Sequence, residues 1–152
     1  MKEHEKKPLS LYVHIPFCKE KCRYCDFLSF ALCDYSLHRQ YVHALCNEIE
    51  VYRYVAERYI VRTIFFGGGT PSFIDAAFIT QIMDKIRDVF LLDDDCEITI
   101  EGNPDSLTGE KLKAYREVGV NRLSIGLQSA NDEMLQKLGR VHNYDQFIAA
   151  YS

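Results

Sequence analysis

The sequence YVHIPFCKEKCRYCDF, residues 12–27, decides how the rest of the chain is interpreted, because it holds three cysteines within eight positions. They form the motif C-x3-C-x2-C and are Cys18, Cys22 and Cys25. The preceding segment, Leu9–Ile15, is rich in apolar residues and ends at Pro16, which predicts a strand followed by a loop. We therefore expect the three thiols at the carboxyl end of a first strand.

The other three cysteines are dispersed, and we predict that Cys33, Cys46 and Cys96 are buried as small hydrophobic side chains. The first ten residues, MKEHEKKPLS, contain no apolar stretch that could serve as a secretory signal. This favours a reducing, cytoplasmic location, where clustered cysteines bind metal more often than they form disulfides.

Strand-like and helix-like segments alternate along the chain. β-Branched and aromatic residues or alternating apolar residues predict strands at Leu9–Ile15, Val61–Phe66, Glu97–Glu101 and Asn121–Ile125. Apolar residues at steps of three and four, together with capping signals, predict helices at 34–59, 78–90, 109–118, 131–138 and from 143 onward. Asp93-Asp94-Asp95 is predicted to be a solvated turn and not a metal site. Such alternation predicts an α/β fold with a parallel sheet and helices on its faces.

Special residues follow each predicted strand. The cysteine motif follows the first strand, and Gly67-Gly68-Gly69-Thr70 follows the second. Glu101 ends the third strand and is followed by Gly102-Asn103-Pro104, and Gly126-Leu127-Gln128 follows the fourth. Parallel α/β folds bind ligands at the carboxyl ends of their strands. The sequence therefore predicts one functional site on that face of the sheet.

The cysteine motif leaves two metal chemistries open. Thiolates favour zinc or iron–sulfur clusters. A structural zinc site normally needs four protein ligands, and His14 is the candidate for the fourth. A cubane cluster normally takes four thiolates, so three would leave one iron open to a small chelating ligand. The count of three favours the cluster.

The glycine run lacks the lysine of a nucleoside-triphosphate loop and the G-x-G-x-x-G spacing of dinucleotide folds. Two interpretations remain, a sharp turn or a backbone cradle for a polar ligand tail.

Four blocks carry a resemblance to a known family: YVHIPFCKEKCRYCDF, TIFFGGGTPS, EGNPDSLTGEKL and GVNRLSIGLQSANDEMLQKLGRVH. The order and type of these blocks resemble the radical S-adenosylmethionine (SAM) superfamily, and within it oxygen-independent coproporphyrinogen III dehydrogenase and its relative, the haem chaperone HemW. The resemblance covers nearly all of residues 9–147.

The resemblance implies a [4Fe–4S] cluster held by Cys18, Cys22 and Cys25, with SAM chelating the fourth iron. An electron passed through the cluster would cleave SAM to methionine and a 5′-deoxyadenosyl radical. The residues implied to contact SAM are Tyr12, Tyr24, Gly68, Gly69, Thr70, Glu101, Gln128 and Arg140. Considered without the family, the less favoured alternatives are that Tyr12 only packs, that Glu101 only caps the following turn and that Arg140 is a surface charge.

One position departs from the dehydrogenase. That enzyme has a further cysteine two residues after its third ligand, whereas this chain has Phe27 there. The departure favours a haem chaperone over the decarboxylating enzyme. A haem chaperone binds haem and delivers it, and we assign no catalytic residue. His142 is a candidate haem ligand, although a lone histidine is more often structural or on the surface.

The resemblance implies haem or a porphyrin, haem-accepting proteins and an electron donor such as flavodoxin or ferredoxin as partners. A net charge of −4 argues against nucleic acid as a partner. No apolar run approaches the ~20 residues of a membrane helix.

The length of 152 residues is short for the barrel that the resemblance implies. A closed eight-stranded barrel takes ~250 residues, and the partial barrel of the radical SAM family uses six βα units. We expect about four units here: a tail at 1–8 and, at 9–152, the N-terminal part of a radical SAM core. Such a fragment would leave an edge strand with bare apolar surface.

Overall fold

A computed structural model describes residues 6–31 and 34–152 of the chain, so the predicted burial of Cys33 lies outside the described residues. Its strands are β1 (Lys7–Ile15), β2 (Phe17–Cys18), β3 (Phe30–Ala31), β4 (Tyr59–Gly68), β5 (Leu92–Gly102) and β6 (Arg122–Ile125). Its α-helices are α1 (Tyr35–Val51), α2 (Arg53–Ala56), α3 (Ala76–Val89), α4 (Gly109–Glu117), α5 (Asp132–Leu138) and α6 (Tyr144–Tyr151). Two short 3-10 helices lie at Pro71–Phe73 and Pro104–Ser106.

The main sheet is parallel, with strand order β1-β4-β5-β6, and β2 and β3 form a small parallel pair beside it. Along one side α1 packs against α3, and α3 against α4. The predicted α/β architecture of about four βα units is confirmed. The register places Ile15 opposite Gly68, and Gly102 opposite Ile125, so the carboxyl ends of all four strands meet at one edge.

The core lies between this sheet and the helices. Val61, Ile64 and Phe66 of β4 are buried, as are Ile79 and Ile82 of α3. The helical spacing of apolar residues that predicted α3 therefore marks the face that contacts the sheet. Cys46 and Cys96 are buried in the same core, as expected.

The long helix predicted at 34–59 is interrupted. It ends at Val51, a short α2 follows Tyr52, and the chain enters β4 at Tyr59. Residues 51–55 are mostly β-branched or aromatic, which weakens the helix. Arg53 pairs instead with Asp88 at 2.6 Å, which fixes α2 against the end of α3.

The predicted aspartate turn is also corrected, because Asp93–Asp95 lie inside β5. The pairing of β4 with β5 is irregular there, passing from Val61 opposite Leu92 to Thr63 opposite Glu97. Asp94 and Asp95 remain exposed, and Asp93 pairs with Arg62 at 3.4 Å. The exposure of this acidic segment to solvent was therefore predicted correctly, but the segment forms a bulge within a strand and not a turn.

Several predicted helix ends are confirmed. Thr108, Asn131 and Asn143 each accept a hydrogen bond from the backbone at the start of the following helix. Gly139 ends α5 in the left-handed conformation. These caps fix the path of the chain after β6.

At one edge of the sheet β6 exposes Leu123, and at the other lies β1. The predicted edge strand is thus β6 in the described part of the chain. No helix among the described residues is long and apolar enough to cross a membrane.

Lys111 ties α4 to the segment after the glycine run. Its half-buried amine donates hydrogen bonds to the carbonyls of Ser72, Phe73 and Ile74. Lys111→Met would leave these carbonyls without their donor, and we expect it to lower the free energy of unfolding by about 1–3 kcal/mol. Urea denaturation measures this. Lys113→Met, on the exposed side of α4, is the control and should stay within about 0.5 kcal/mol of the wild type. Equal effects of the two substitutions would contradict the role given to Lys111.

His38 is a buried histidine of α1 whose ring packs 4.4 Å from that of Phe17, between centroids. Burial lowers the pKa of His38 from its ordinary value of 6.5, against a weaker opposing effect of Asp34. The unfolded chain therefore binds the proton more tightly, and stability is lost as the pH falls below about 6.5. His38→Phe should lose less stability than the wild type between about pH 7 and pH 5, measured by urea denaturation. His43→Phe, exposed on the same helix, is the control. If the unfolding free energy of His38→Phe depended on pH as steeply as that of the wild type, His38 would not be the source of this pH dependence.

Candidate functional site

A cavity of about 480 Å³ opens at the edge where the carboxyl ends of the strands meet. The cysteine loop, the ends of β4, β5 and β6, and Arg140, two residues beyond α5, all contribute to its wall. The predicted site residues that line it are Cys18, Cys22, Tyr24, Cys25, Gly68, Gly69, Thr70, Glu101, Gln128 and Arg140. The structure therefore brings together residues 122 positions apart in the sequence.

Tyr12 is the one predicted site residue that does not line this cavity. Its ring is 60% exposed and stacks on Phe65, with 6.1 Å between centroids. Its hydroxyl lies 3.2 Å from Nδ1 of His14. Burial, and to a lesser extent the charge of Glu101 in the cavity wall, raises the pKa of Tyr12. Tyr12 therefore lies beside the cavity but not in its wall.

The three cysteines of the motif differ in their burial. Cys18 ends β2 and is buried, whereas Cys22 and Cys25 are half-buried in the following loop. The N–H of Cys25 donates to the carbonyl of Cys22 at 3.1 Å, and that of Arg23 to the carbonyl of Leu138 at 3.2 Å. The loop is therefore fastened to the end of α5, with all three thiols free.

The three sulfur atoms line one cavity without forming a closed coordination shell. In residues 6–31 and 34–152, no three His, Cys, Asp or Glu side chains are close enough to hold a single metal ion. His14, the candidate fourth zinc ligand, has its Nε2 2.9 Å from the carbonyl of Leu28 and its Nδ1 near Tyr12. Both ring nitrogens thus have partners within the fold.

Two hydrogen-bond donors reach the cysteine sulfurs. The hydroxyl of Thr70 donates to Sγ of Cys18 at 3.6 Å, and Nη1 of Arg140 donates to Sγ of Cys22 at 3.4 Å. Metal-bound thiolates accept hydrogen bonds from groups behind them, and such bonds orient the ligands. This donor set suits a thiolate-ligated group.

The glycine run lies against the cysteine strand. The N–H of Gly69 donates to Ile15 and that of Thr70 to Phe17, both at 2.8 Å. A Cβ on Gly69 would lie 2.7 Å from the carbonyl oxygen of Phe17. Gly68 has φ +116° and its missing Cβ would lie 2.7 Å from the His14 ring. The chain requires glycine here because the backbone approaches its neighbours so closely.

Glu101 and Gln128 come from the two remaining strand ends. Burial raises the pKa of Glu101, and the backbone N–H of Gly68 partly offsets this effect. Gln128 adopts a left-handed backbone, φ 68°, which is uncommon for a residue with a side chain. Both therefore present polar groups to the cavity from constrained positions.

The sequence matches the radical SAM superfamily over residues 12–152. The chain belongs to this superfamily. Members of this superfamily in general combine a [4Fe–4S] cluster with SAM. A cysteine-ligated cluster is therefore the metal chemistry that the superfamily implies for this radical SAM chain.

Two curated relatives are haem chaperones by name. The chain is 44% identical to the haem chaperone HemW of Escherichia coli over 135 residues, which cover 89% of this chain and 36% of that protein. It is 39% identical to HemW of Haemophilus influenzae over 140 residues, 90% and 37% of the two chains. The chain thus spans little more than a third of the length of these relatives.

A solved structure supports the radical SAM fold independently. The radical SAM enzyme coproporphyrinogen III oxidase (HemN) of Escherichia coli superposes with a TM-score of 0.89 and 34% sequence identity. The match covers 95% of this chain and 33% of that one. The partial radical SAM barrel predicted from the sequence is confirmed.

Arg140 makes more contacts at this cavity than the sequence indicated. Its Nη2 donates to Oδ1 of Asn103 at 2.6 Å and to the carbonyl of Gly126 at 3.0 Å, while Nη1 lies 3.4 Å from both Cys22 Sγ and Tyr24 Oη. Burial raises the pKa of Tyr24, and the positive charge of Arg140 opposes this effect. The guanidinium is thus held in place by the protein itself.

Asn103 lines the cavity, although the sequence indicated no role for it beyond its place in the segment after the third strand. His142 is buried, with Nε2 3.2 Å from the carbonyl of Leu127, and burial lowers its pKa, with a further contribution from Arg140. The only sequence signal for Asn103 was its place directly after Gly102 at the end of β5.

Proposed function

We propose that the chain is the cluster- and SAM-binding part of a radical SAM protein of haem metabolism, of the haem-chaperone type. One observation carries the proposal: three free thiols, two of them hydrogen-bonded by Thr70 and Arg140, line a single cavity at the carboxyl ends of the strands. Cys18, Cys22 and Cys25 would hold a [4Fe–4S] cluster, whose reduction supplies the electron for radical chemistry on SAM.

The rest of the cavity wall suits a polar, chelating ligand. Gly68 and Gly69 contribute to the wall beside the cysteines, and the hydroxyl of Thr70 lies next to them. Glu101 would accept hydrogen bonds from hydroxyl or amino groups of SAM, and Gln128 offers both a donor and an acceptor. Arg140 adds a positive charge near the thiolates and near a bound carboxylate. Tyr24 would pack beside the ligand, and Tyr12 would approach it from beside Glu101.

The haem-chaperone assignment rests on Phe27 and on the relatives. Phe27 lines the cavity with 69% of its side chain exposed, at the position where the dehydrogenase is expected to have a further cysteine. An apolar ring cannot replace a thiol as a ligand. Two curated relatives are named haem chaperones, which agrees with haem as the bound molecule and haem-accepting proteins as recipients. An electron donor such as flavodoxin or ferredoxin would reduce the cluster in the cytoplasm.

Anaerobic reconstitution with iron and sulfide tests the cofactor set. We expect visible absorption and an EPR signal of the reduced protein that changes when SAM is added. A chain that takes up zinc and no iron would overturn the proposal.

Haem titration and a turnover assay in the complete protein separate the two functions. We expect haem binding, seen as a change in the haem absorption band, and no conversion of coproporphyrinogen III with cluster, reductant and SAM present. The structural similarity to coproporphyrinogen III oxidase makes the dehydrogenase the second candidate. Turnover without haem binding would favour it.

A further inference from the structure

Asn103 joins the two hydrogen bonds that reach the cysteine sulfurs. Its Nδ2 donates to Oγ1 of Thr70 at 3.2 Å, and its Oδ1 accepts from Nη2 of Arg140 at 2.6 Å. Thr70 in turn donates to Cys18, and Arg140 to Cys22. A single side-chain amide therefore connects both donors.

The chemistry of the partners fixes the direction of every hydrogen bond in this chain. Arginine can only donate, so the amide oxygen of Asn103 must face Arg140 and its nitrogen must face Thr70. The hydroxyl of Thr70 then accepts from Asn103, and its single proton is left to point at the sulfur of Cys18. The amide thus decides where the Thr70 proton goes.

The backbone of Asn103 is itself held firmly. Its N–H lies 3.3 Å from the hydroxyl oxygens of both Ser72 and Ser106. Its carbonyl accepts from the backbone N–H and the hydroxyl of Ser106, each at 2.9 Å. Because the 3-10 helix starting at Pro104 follows at once, Asn103 lies at a rigid junction and not in a loose loop.

We propose that Asn103 is a positioning residue that directs one hydrogen bond to the sulfur of Cys18 and one to that of Cys22. The inference rests on the proposed function, in which these sulfurs are cluster ligands. Hydrogen bonds to cluster sulfurs stabilise the reduced state and raise the reduction potential, and partners behind the ligands affect metal retention. Asn103 would therefore set both properties without touching the cluster.

Two substitutions in the complete reconstituted protein test this role. Asn103→Leu removes the side-chain hydrogen bonds to Thr70 and to Arg140 without adding charge. Asn103→Asp keeps an acceptor for Arg140 but draws the Thr70 proton away from Cys18. In both variants we expect a lower midpoint potential in an EPR-monitored titration, and iron lost to a chelator about 10–100-fold more readily. Asn131→Asp is the control, because aspartate caps α5 as well as asparagine does and this residue is exposed.

The outcomes separate this inference from the proposed function. A wild-type protein that assembles no cluster overturns both. A wild-type cluster with the same potential in Asn103→Leu overturns only the role of Asn103. An equal shift in Asn131→Asp also overturns it, because the effect would then come from general charge or folding.

Discussion

Cys25→Ser is expected to leave the chain folded but unable to retain an iron–sulfur cluster. Cys25 is half-buried in a loop, so exchanging sulfur for oxygen removes little packing. The hydroxyl is a hard, protonated ligand at neutral pH, whereas the cluster irons require soft thiolates. With only two thiolates left, iron content after anaerobic reconstitution should fall close to background, and the visible absorption and EPR signal should disappear.

Cys46→Ser is the matched control for this change. Cys46 is a buried residue of α1 and does not line the cavity at the strand ends. Burial raises the pKa of its thiol. We expect the control to lose some stability, because a hydroxyl enters an apolar site, but to bind the full complement of iron. Full iron binding by Cys25→Ser would contradict the assignment of the three ligands.

Gly68→Ala is expected to cost about 2–5 kcal/mol of unfolding free energy. A side chain at φ +116° is strained, and the added Cβ would lie 2.7 Å from the His14 ring. The ring has little room to move, because its nitrogens contact Tyr12 and the carbonyl of Leu28. Urea denaturation measures the loss, and cluster retention should fall with it, since the glycine run lies against the cysteine strand.

Gly109→Ala makes the same chemical change where nothing opposes it. Gly109 begins α4, and no atom lies within 4 Å of the Cβ that alanine would add. A more restricted unfolded chain should make this variant more stable by about 0.4–1 kcal/mol. If the two alanine variants had equal stability, the close packing at Gly68 would be refuted.

The order of strands and helices could be predicted from the sequence because hydrophobic periodicity is local. The apolar spacing of α3 and the capping residue Thr108 of α4 were sufficient for these two helices. The break at Tyr52 was missed, because the apolar pattern continues through it while the contact of Arg53 with Asp88 is non-local. The bulge at Asp93 was missed for the same reason, since strand register depends on the neighbouring strand.

The residues of the candidate site also fall into those that could be predicted from the sequence and those that could not. The cysteines and glycines were recognisable because motif spacing survives in a single sequence. Asn103 was not, because its role depends on Thr70 and Arg140, which lie 33 and 37 positions away. The contact of Tyr12 with SAM stays a prediction, since its ring lies beside the cavity wall and not in it.

The backbone bonds from Gly69 and Thr70 to Ile15 and Phe17 have a thermodynamic consequence. They join the loop proposed for SAM to the segment that leads into the proposed cluster ligands, so moving the two segments apart breaks both bonds. The free energy gained when a ligand binds one segment therefore also protects the other. Occupation of the two halves of the site is coupled through the main chain, before any contact between the cofactors themselves.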